Sequence, residues 1–171
     1  MPLVVMGVAG SGKSTVAIAL AAELGGAYLD ADDFHPAANV AKMAAGIPLT
    51  DDDRMPWLRV VGEAMAAETA QDRLAVVACS ALRRYYRDTL RRAGGDVFFV
   101  QLDGSPELLA ARINARTDHF MPPSLLASQL AALEPLEADE PGVVVSIDAP
   151  VDAIVAEASA RWADAANSDI L

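Results

Sequence analysis

Near its N-terminus the chain reads Gly7-Val8-Ala9-Gly10-Ser11-Gly12-Lys13-Ser14, which matches the pattern G-x-x-x-x-G-K-[ST] in full. An apolar run, 3–6, precedes this stretch, and a helix-forming stretch, 15–24, follows it. In that order of strand, turn and helix, backbone N–H groups and a helix N-terminus point at bound phosphate. We therefore predict a phosphate loop over residues 7–14, with Lys13 reaching the β- and γ-phosphates and Ser14 binding Mg²⁺. The residues expected to contact a nucleotide are Gly7, Val8, Ala9, Gly10, Ser11, Gly12, Lys13, Ser14 and Thr15.

The bulk composition indicates one globular domain over residues 1–171. Hydrophobic residues make up 53% of the chain, which is too apolar for disorder and sufficient for a substantial core. There is no basic N-terminal region followed by a long apolar stretch, and no apolar run of membrane-spanning length, so we expect neither a signal peptide nor a membrane partner. The single cysteine, Cys79, cannot form an internal disulfide, and we therefore expect a cytoplasmic protein.

The charge is strongly acidic and unevenly distributed. The net charge is −11, which argues against a nucleic-acid partner. Residues 1–116 hold 12 Lys/Arg against 14 Asp/Glu, whereas residues 117–171 hold one against 10. We therefore expect a solvated acidic face in the last third and the cations that meet a polyanionic nucleotide in the first two thirds.

Apolar runs and helix-forming segments alternate along the chain. The runs are mostly continuous rather than alternating, which is typical of strands that are buried on both faces of a parallel sheet. The predicted strands are 3–6, 27–29, 74–78, 97–102 and 143–147. The predicted helices are 13–24, 36–45, 56–70, 82–93, 105–116, 123–133 and 151–166. The pattern predicts an α/β fold, a three-layer α/β/α sandwich with a five-stranded parallel sheet.

Two carboxylates follow the second predicted strand, at the sheet edge where ligands bind in such folds. Asp30 and Asp32 alternate, so both point to the same side of an extended chain. One carboxylate can order Mg²⁺ and its water, and the other can accept the proton of an attacking hydroxyl. The alternative is an acidic turn that caps the next helix, a role that also suits Asp33. His35 is a candidate substrate contact, with a structural loop histidine as the alternative.

Arginines cluster after the third predicted strand. Arg83 and Arg87 lie one helical turn apart in the segment nearest the strand end, and guanidinium groups suit carboxylate or phosphate. We expect at least one of them to bind an anionic substrate, and a solvated basic face is the alternative. Arg54 follows three aspartates, Asp51 to Asp53, that are suited to helix capping. We expect Arg54 to meet the carboxylate of an acceptor.

A second group of candidates follows the fourth and fifth predicted strands. Arg112 and Arg116 lie one turn apart, just before a polar and proline-containing loop that includes His119. A mobile segment with arginines can neutralise transition-state charge and exclude water in phosphoryl transfer, although a surface helix end is the alternative. Pro150 either borders the nucleotide base or simply starts the last helix. The third strand has no terminal aspartate and there is no Asn-Lys-x-Asp signature, which disfavours a GTPase switch.

Taken together, these motifs make the chain similar to the gluconate kinases of the P-loop type. The phosphate loop is shared by many nucleotide hydrolases, but the remaining motifs are far more specific. They are Leu-Asp-Ala-Asp-Asp-Phe-His-Pro at 29–36, Pro-Leu-Thr-Asp-Asp-Asp-Arg at 48–54 and Cys-Ser-Ala-Leu at 79–82. The resemblance covers residues 3 to about 160.

The resemblance implies transfer of the γ-phosphoryl group of ATP, with Mg²⁺, to the 6-hydroxyl of D-gluconate. It implies the P-loop fold of nucleoside-monophosphate and shikimate kinases, with a helical substrate-binding insert at about 33–72, a lid at about 116–135, and a homodimer. By position, Asp32 resembles the acceptor base and Asp30 the carboxylate on the metal side. The other residues that the resemblance assigns are Arg54 and Arg83 as acceptor clamps, Arg116 on the lid, and Arg112 on adenine opposite Pro150.

The chain departs from that family at two positions. Family members often have Lys where this chain has Arg83, and Gly where it has Asp118. The first change keeps the charge and alters donor geometry, and the second adds a negative charge to the lid. Two other functions stay open at this point, namely a kinase for another small anionic acceptor such as shikimate or a nucleotide, and a non-catalytic ATP-binding regulator.

Overall fold

The computed structural model describes residues 1–115 and 123–168. The strands are β1 (Leu3–Met6), β2 (Ala27–Asp30), β3 (Ala75–Ala78), β4 (Phe98–Asp103) and β5 (Gly142–Ser146). The helices are α1 (Lys13–Leu24), α2 (Ala37–Ala44), α3 (Asp51–Thr69), α4 (Arg84–Gly94), α5 (Pro106–Asn114), α6 (Pro123–Ala132) and α7 (Val151–Ser168). A 3₁₀ turn, Ala31–Phe34, joins directly onto β2.

The five strands form one parallel sheet in the order β2-β3-β1-β4-β5. The strand β1 lies in the centre and is buried over its whole length, as its continuous apolar sequence predicts. Leu3 and Val5 pack with α1, α5 and α7 on one face. Val4 and Met6 pack with α3 and α4 on the other. The predicted three-layer α/β/α sandwich is therefore confirmed.

One predicted helix boundary is wrong. The sequence prediction starts the third helix at Pro56, whereas α3 starts at Asp51 and carries Pro56 inside it. The earlier start is fixed by a capping box, in which the Asp53 N–H donates to Thr50 Oγ1 at 3.3 Å and the Thr50 N–H donates to Asp53 Oδ2 at 2.9 Å. Lys42 also donates to Asp53, and these hydrogen bonds together lower the pKa of Asp53 to about 2. The acidic run thus begins the helix that carries Arg54.

The predicted insert, about 33–72, contains α2 and α3. The predicted lid, about 116–135, includes α6, and its residues 116–122 lie outside the described part of the chain. Both assignments stay predictions. In the described residues, no helix is long and apolar enough to cross a membrane.

Arg87 requires a correction, because it is a buried structural residue rather than a substrate contact. Its side chain and that of Glu140 are both 0% exposed. Arg87 donates through Nε and Nη2 to the two Glu140 carboxylate oxygens, at 2.6 and 2.7 Å, and through Nη1 to the Glu134 carbonyl at 2.9 Å. Burial opposes ionisation of Glu140, but the hydrogen bonds from Arg87 and from the Glu137 N–H outweigh it and lower the Glu140 pKa. The pair fastens segment 134–140, between α6 and β5, to α4.

We predict that Arg87→Met lowers the free energy of unfolding by about 3–5 kcal/mol, because it removes both guanidinium hydrogen bonds from the buried Glu140 carboxylate and leaves that charge facing the more distant Arg84, at 3.6 Å. Urea unfolding followed by circular dichroism measures the change. The matched control is Arg73→Met, which breaks an ion pair of similar geometry, Arg73 Nε to Glu68 Oε2 at 2.6 Å, with half of the arginine side chain exposed. The control should lose far less stability. Equal losses in the two variants would contradict a dominant role for the buried pair.

Candidate active site

The phosphate loop owes its shape to glycines and to α5. Gly10 and Gly12 have φ values of 80° and 92°, which side chains rarely adopt. A Cβ on Gly10 would lie 2.8 Å from Ile113 Cγ1 and 3.0 Å from the Leu109 carbonyl oxygen, so α5 packs against bare backbone. Gly12 is the residue before α1, and the first N–H groups of that helix therefore open towards the loop. Lys13 donates its ammonium to the Val8 carbonyl at 3.0 Å, and so it reaches across the loop.

The loop borders a cleft of about 560 Å³ at the carboxyl ends of β1, β2 and β3. The phosphate loop and α1 form one wall of the cleft, and the segment after β2 forms another. Residues 43–57 and α6 form the rest of its lining. The cleft brings together these residues that the sequence predicted for a site: Ala9, Gly10, Gly12, Lys13, Ser14, Thr15, Asp30, Asp32, His35 and Arg54. Arg83, Arg87, Arg112 and Pro150 are not among the cleft-lining residues. Arg116 and His119 lie outside the described residues.

Asp30 is held in place by its neighbours. Its Oδ1 accepts the backbone N–H of Asp32 at 3.0 Å, and its Oδ2 accepts the Tyr28 hydroxyl at 3.0 Å. Burial raises the pKa of Tyr28, a hydrogen bond with Ser14 opposes this, and Asp30 adds to the rise. Tyr28 is therefore hydrogen-bonded to Asp30, one of the two residues predicted for Mg²⁺, and its pKa responds to the other, Ser14. Sequence reasoning missed Tyr28, although its i, i+2 spacing to Asp30 on a strand was a usable signal.

The donor set fits Mg²⁺. In the described residues, no group of three or more His, Cys, Asp or Glu side chains is placed to hold a metal ion. Mg²⁺ does not require such a group, because it keeps several waters and is bound through one or two carboxylates and the substrate phosphates. The Ser14 hydroxyl and the Asp30 carboxylate, which line the same cleft, are the protein ligands that this chain would supply.

Asp32 projects into the cleft, with 85% of its side chain accessible. The pKa of Asp32 is raised above its usual value, first by its partial removal from water within the cleft and then by the charge of Asp30. The nearby His35 and Lys13 oppose the rise. A carboxylate with a raised pKa is a better proton acceptor than an ordinary aspartate at neutral pH.

His35 lies against Asp32 in a fixed orientation. Its side chain is 3% exposed and stacks on Trp57, with ring centroids 4.1 Å apart and an interplanar angle of 18°. Its Nδ1 lies 3.3 Å from the amide nitrogen of Asn39, which is a donor, so Nδ1 accepts and Nε2 carries the hydrogen of the neutral ring. His35 Nε2 lies 3.8 Å from Asp32 Oδ1. Burial lowers the pKa of His35, although Asp32 opposes this, so the neutral form is favoured.

Two buried residues that the sequence did not mark for this role support the 3₁₀ turn. The Trp57 indole N–H donates to the Ala31 carbonyl at 2.7 Å. Asn39 is 3% exposed and also donates to the Asp53 carbonyl at 3.0 Å. Helices α2 and α3 are thus tied to the turn that carries Asp32.

The two predicted clamp arginines both lie close to the ring of one tyrosine, Tyr86. The guanidinium carbons of Arg54 and Arg83 are each 6.0 Å from the centroid of the Tyr86 ring. Arg54 lines the cleft, whereas Arg83 is bound to Asp51 at 3.4 Å and to the Tyr85 hydroxyl at 3.3 Å. Only the first of the two is therefore positioned at the cleft wall, and an acceptor contact from Arg83 stays a prediction.

Arg112 lies between the phosphate loop and the end of β5. Its Nη2 donates to the Ile147 carbonyl at 2.7 Å, and its Nη1 lies 4.0 Å from where a Cβ on Gly12 would be. The carbonyl of Pro150 accepts the first N–H groups of α7, from Ala153 and Ile154, so this proline does start the last helix. The adenine contacts of Arg112 and Pro150 stay predictions.

The fold and this cleft define the class of protein. A glycine-rich loop leads from a central parallel strand to a helix N-terminus, and a pair of carboxylates faces it across a cleft. That arrangement is typical of a P-loop phosphotransferase, in which positioned charges rather than covalent chemistry do the work. The family described as "AAA domain", a P-loop class, matches residues 3–136.

Comparison with individual proteins narrows the class. The chain is 43% identical to the thermoresistant gluconokinase of Escherichia coli (strain K12), over 90% of this chain and 88% of that one. It is 47% identical to the gluconokinase of Gluconobacter oxydans (strain 621H), over 91% of this chain and 87% of that one. A crystal structure of a gluconokinase from Sinorhizobium meliloti 1021 superposes on this structure with a TM-score of 0.87. The two chains are 46% identical, and the superposition covers 98% of this chain and 94% of that one. The chain belongs to the gluconokinase family, and the resemblance seen in its motifs is confirmed.

We predict that Gly10→Ala lowers the free energy of unfolding by about 3 kcal/mol or more, through left-handed backbone strain and overlap with α5. The matched control is Gly25→Ala, which has a φ of 65° but nothing within 4 Å of the added Cβ. The control should lose only about 1–2 kcal/mol, since backbone strain acts alone there. Guanidinium unfolding measures both, and an equal loss would contradict close packing of α5 on the loop.

Proposed function

We propose that the chain transfers the γ-phosphoryl group of ATP to the 6-hydroxyl of D-gluconate, which yields 6-phospho-D-gluconate and ADP. The observation that carries the proposal is the exposed Asp32 carboxylate, which shares one cleft with Lys13 and Ser14 of the phosphate loop. Family membership supports the choice of acceptor, since the relatives at 43% and 47% identity are gluconokinases.

In the proposed reaction, a bond forms between the 6-oxygen and the γ-phosphorus while the bond from that phosphorus to the β,γ-bridging oxygen breaks. The proton of the hydroxyl passes to Asp32 and is then released to water. The loop amides and Lys13 hold the phosphates, and Lys13 offsets the negative charge of the group in transit. Positioning of this kind supplies up to roughly 7–11 kcal/mol of barrier reduction.

Mg²⁺, held by Ser14 and Asp30, would neutralise phosphate charge in this site. Arg54 is proposed to bind the carboxylate of gluconate at the far end of the cleft, with Arg83 close to the same tyrosine ring, Tyr86. Neutral His35 is proposed to touch the acceptor through Nε2–H, beside Asp32. Lid contacts from Arg116 and His119, adenine contacts from Arg112 and Pro150, a homodimer and a cytoplasmic location stay predictions from the sequence.

The proposal is tested by ADP release from MgATP in the presence of one acceptor at a time. The panel is D-gluconate, D-glucose, shikimate and AMP, where glucose has the same terminal hydroxyl but no carboxylate. We expect gluconate to support turnover far better than the other three. Release with shikimate or AMP instead would favour a kinase for another acceptor, and nucleotide binding without release under any condition would favour a non-catalytic regulator.

We predict that Asp32→Asn lowers kcat by about 10²–10⁴-fold, the usual contribution of a general base, while the Kd for ATP changes little. Thermal stability should be equal or higher, because the fold disfavours the ionised carboxylate that the substitution removes. The matched control is Asp33→Asn, the adjacent exposed residue, which is not among the cleft-lining residues. Steady-state kinetics, calorimetry and a melting curve give the three readouts, and full activity in the Asp32 variant would remove it as the base.

We predict that Arg54→Ala raises the KM for gluconate about tenfold or more, the loss expected for a hydrogen bond to a charged group, and leaves the KM for ATP within about threefold. Arg59→Ala is the matched control, because Arg59 is exposed on the same helix and does not line the cleft. Initial rates with each substrate varied in turn measure both constants. Equal effects on the two KM values would refute the assignment of Arg54 to the acceptor.

A further inference from the structure

A side chain from α6 binds the backbone of the phosphate loop. The Ala9 N–H donates to Gln129 Oε1 at 2.6 Å, across 120 residues of sequence. Both residues line the cleft, and Gln129 is half-buried. The distance is shorter than is usual for N–H···O hydrogen bonds. The contact has no part in the mechanism proposed above.

The N–H that Gln129 binds belongs to the set with which this kind of loop binds phosphate. Residues 12–15 lie at the N-terminus of α1, where the helix amides suit one phosphate group. Ala9 belongs to the other half of the loop, which leads out of β1 and lies on the opposite side of Gly10. All of these residues line one cleft, so the next phosphate of a nucleotide bound at the helix amides would have the Ala9 N–H within its reach.

The amide oxygen of Gln129 and a phosphate oxygen are both acceptors, and one N–H forms a well-directed hydrogen bond with one of them at a time. We propose that Gln129 is a positioning residue that competes with the third phosphate of the nucleotide for the Ala9 N–H, so that α6 distinguishes a nucleoside triphosphate from a diphosphate. This inference rests on the proposed function only in assuming that the phosphate loop binds the nucleotide.

The C-terminal end of α6 is held by hydrogen bonds that do not involve Gln129. Just beyond α6, the Glu134 N–H donates to the Leu82 carbonyl at 2.8 Å. The Glu134 carboxylate accepts the Arg84 N–H, and Arg87 holds the Glu134 carbonyl. A triphosphate that displaces Gln129 therefore removes the hydrogen bond between α6 and the loop, while the far end of the helix stays anchored and Leu126 stays packed in the core.

The test is nucleotide binding without any acceptor, measured by calorimetry with MgADP and with a non-hydrolysable analogue of MgATP. Gln129→Glu supplies a charged competitor, which forms a stronger hydrogen bond with Ala9. We expect the ratio of the analogue Kd to the ADP Kd to rise about tenfold in that variant. Like-charge repulsion acts on both ligands and more strongly on the triphosphate, so the uncharged variant described next is needed to separate competition from repulsion.

Gln129→Leu removes the competitor without adding charge, and we expect that same ratio of Kd values to fall below that of the wild-type chain. Ser128→Ala is the matched control, since the Ser128 hydroxyl donates to the Leu125 carbonyl of its own helix, at 2.8 Å, and Ser128 does not line the cleft. It should leave the ratio unchanged. Affinities for the two nucleotides that shift together in both Gln129 variants would overturn the proposal, because a merely structural role of Gln129 acts on both alike.

A second readout follows the Ala9 N–H itself by amide hydrogen exchange. Without nucleotide, we expect faster exchange at Ala9 in Gln129→Leu than in the wild-type chain. The triphosphate analogue should restore protection, and ADP should not. Exchange at Ala9 that is the same in both proteins would overturn the proposal, even if the variant melts at a lower temperature. Neither measurement uses gluconate, so a failure of gluconate phosphorylation is distinguishable from a failure here.

Discussion

The parallel pairing of β2, β3 and β1 is the constraint on which the rest of this molecule depends. Asp30 pairs with Ala78, and Ala78 pairs with Val5, so the three strands reach the same level of the sheet. Whatever follows each strand must therefore open onto one edge. The phosphate loop begins two residues after Val5, and the 3₁₀ turn with Asp32 begins directly after Asp30. The phosphate loop and Asp32 become neighbours because these strands pair in this register.

Ionised Asp32 is slightly disfavoured by the fold, and hydrogen bonds to its neighbours hold the turn that carries it. Asp32 has a raised pKa, so its contribution to stability is complete only below the pKa of the unfolded chain and is lost as the pH rises through the higher folded value. Because 85% of the Asp32 side chain is accessible, water screens this effect and the cost in stability at neutral pH is small. The surrounding structure compensates, since Asp30 accepts the Asp32 N–H and Trp57 holds the Ala31 carbonyl. Functional sites commonly carry such a conflict.

Local patterns predicted what depends on local geometry. The phosphate loop, the five strands and the pair of Asp30 and Asp32 follow from runs and spacings of a few residues, and Arg54 follows from the acidic cap before it. The burial of Arg87 could not be predicted in this way, because its partner Glu140 lies 53 residues away in the sequence and no helical spacing reveals that contact. The hydrogen bond between Gln129 and Ala9 could not be predicted for the same reason, since 120 residues separate the two. The start of the third helix was predicted wrongly at Pro56, because proline marks the first turn of a helix only when no stronger cap precedes it.

The central claim is that the cleft delivers a phosphoryl group to a primary alcohol beside Asp32. It is tested most directly by phosphorus NMR of the products formed from MgATP and D-gluconate. The account predicts one new phosphate monoester whose signal is split by the two hydrogens of a CH₂ group, in an amount equal to the ADP formed. Inorganic phosphate as the only new signal, or an ester at any other oxygen of gluconate, would contradict it.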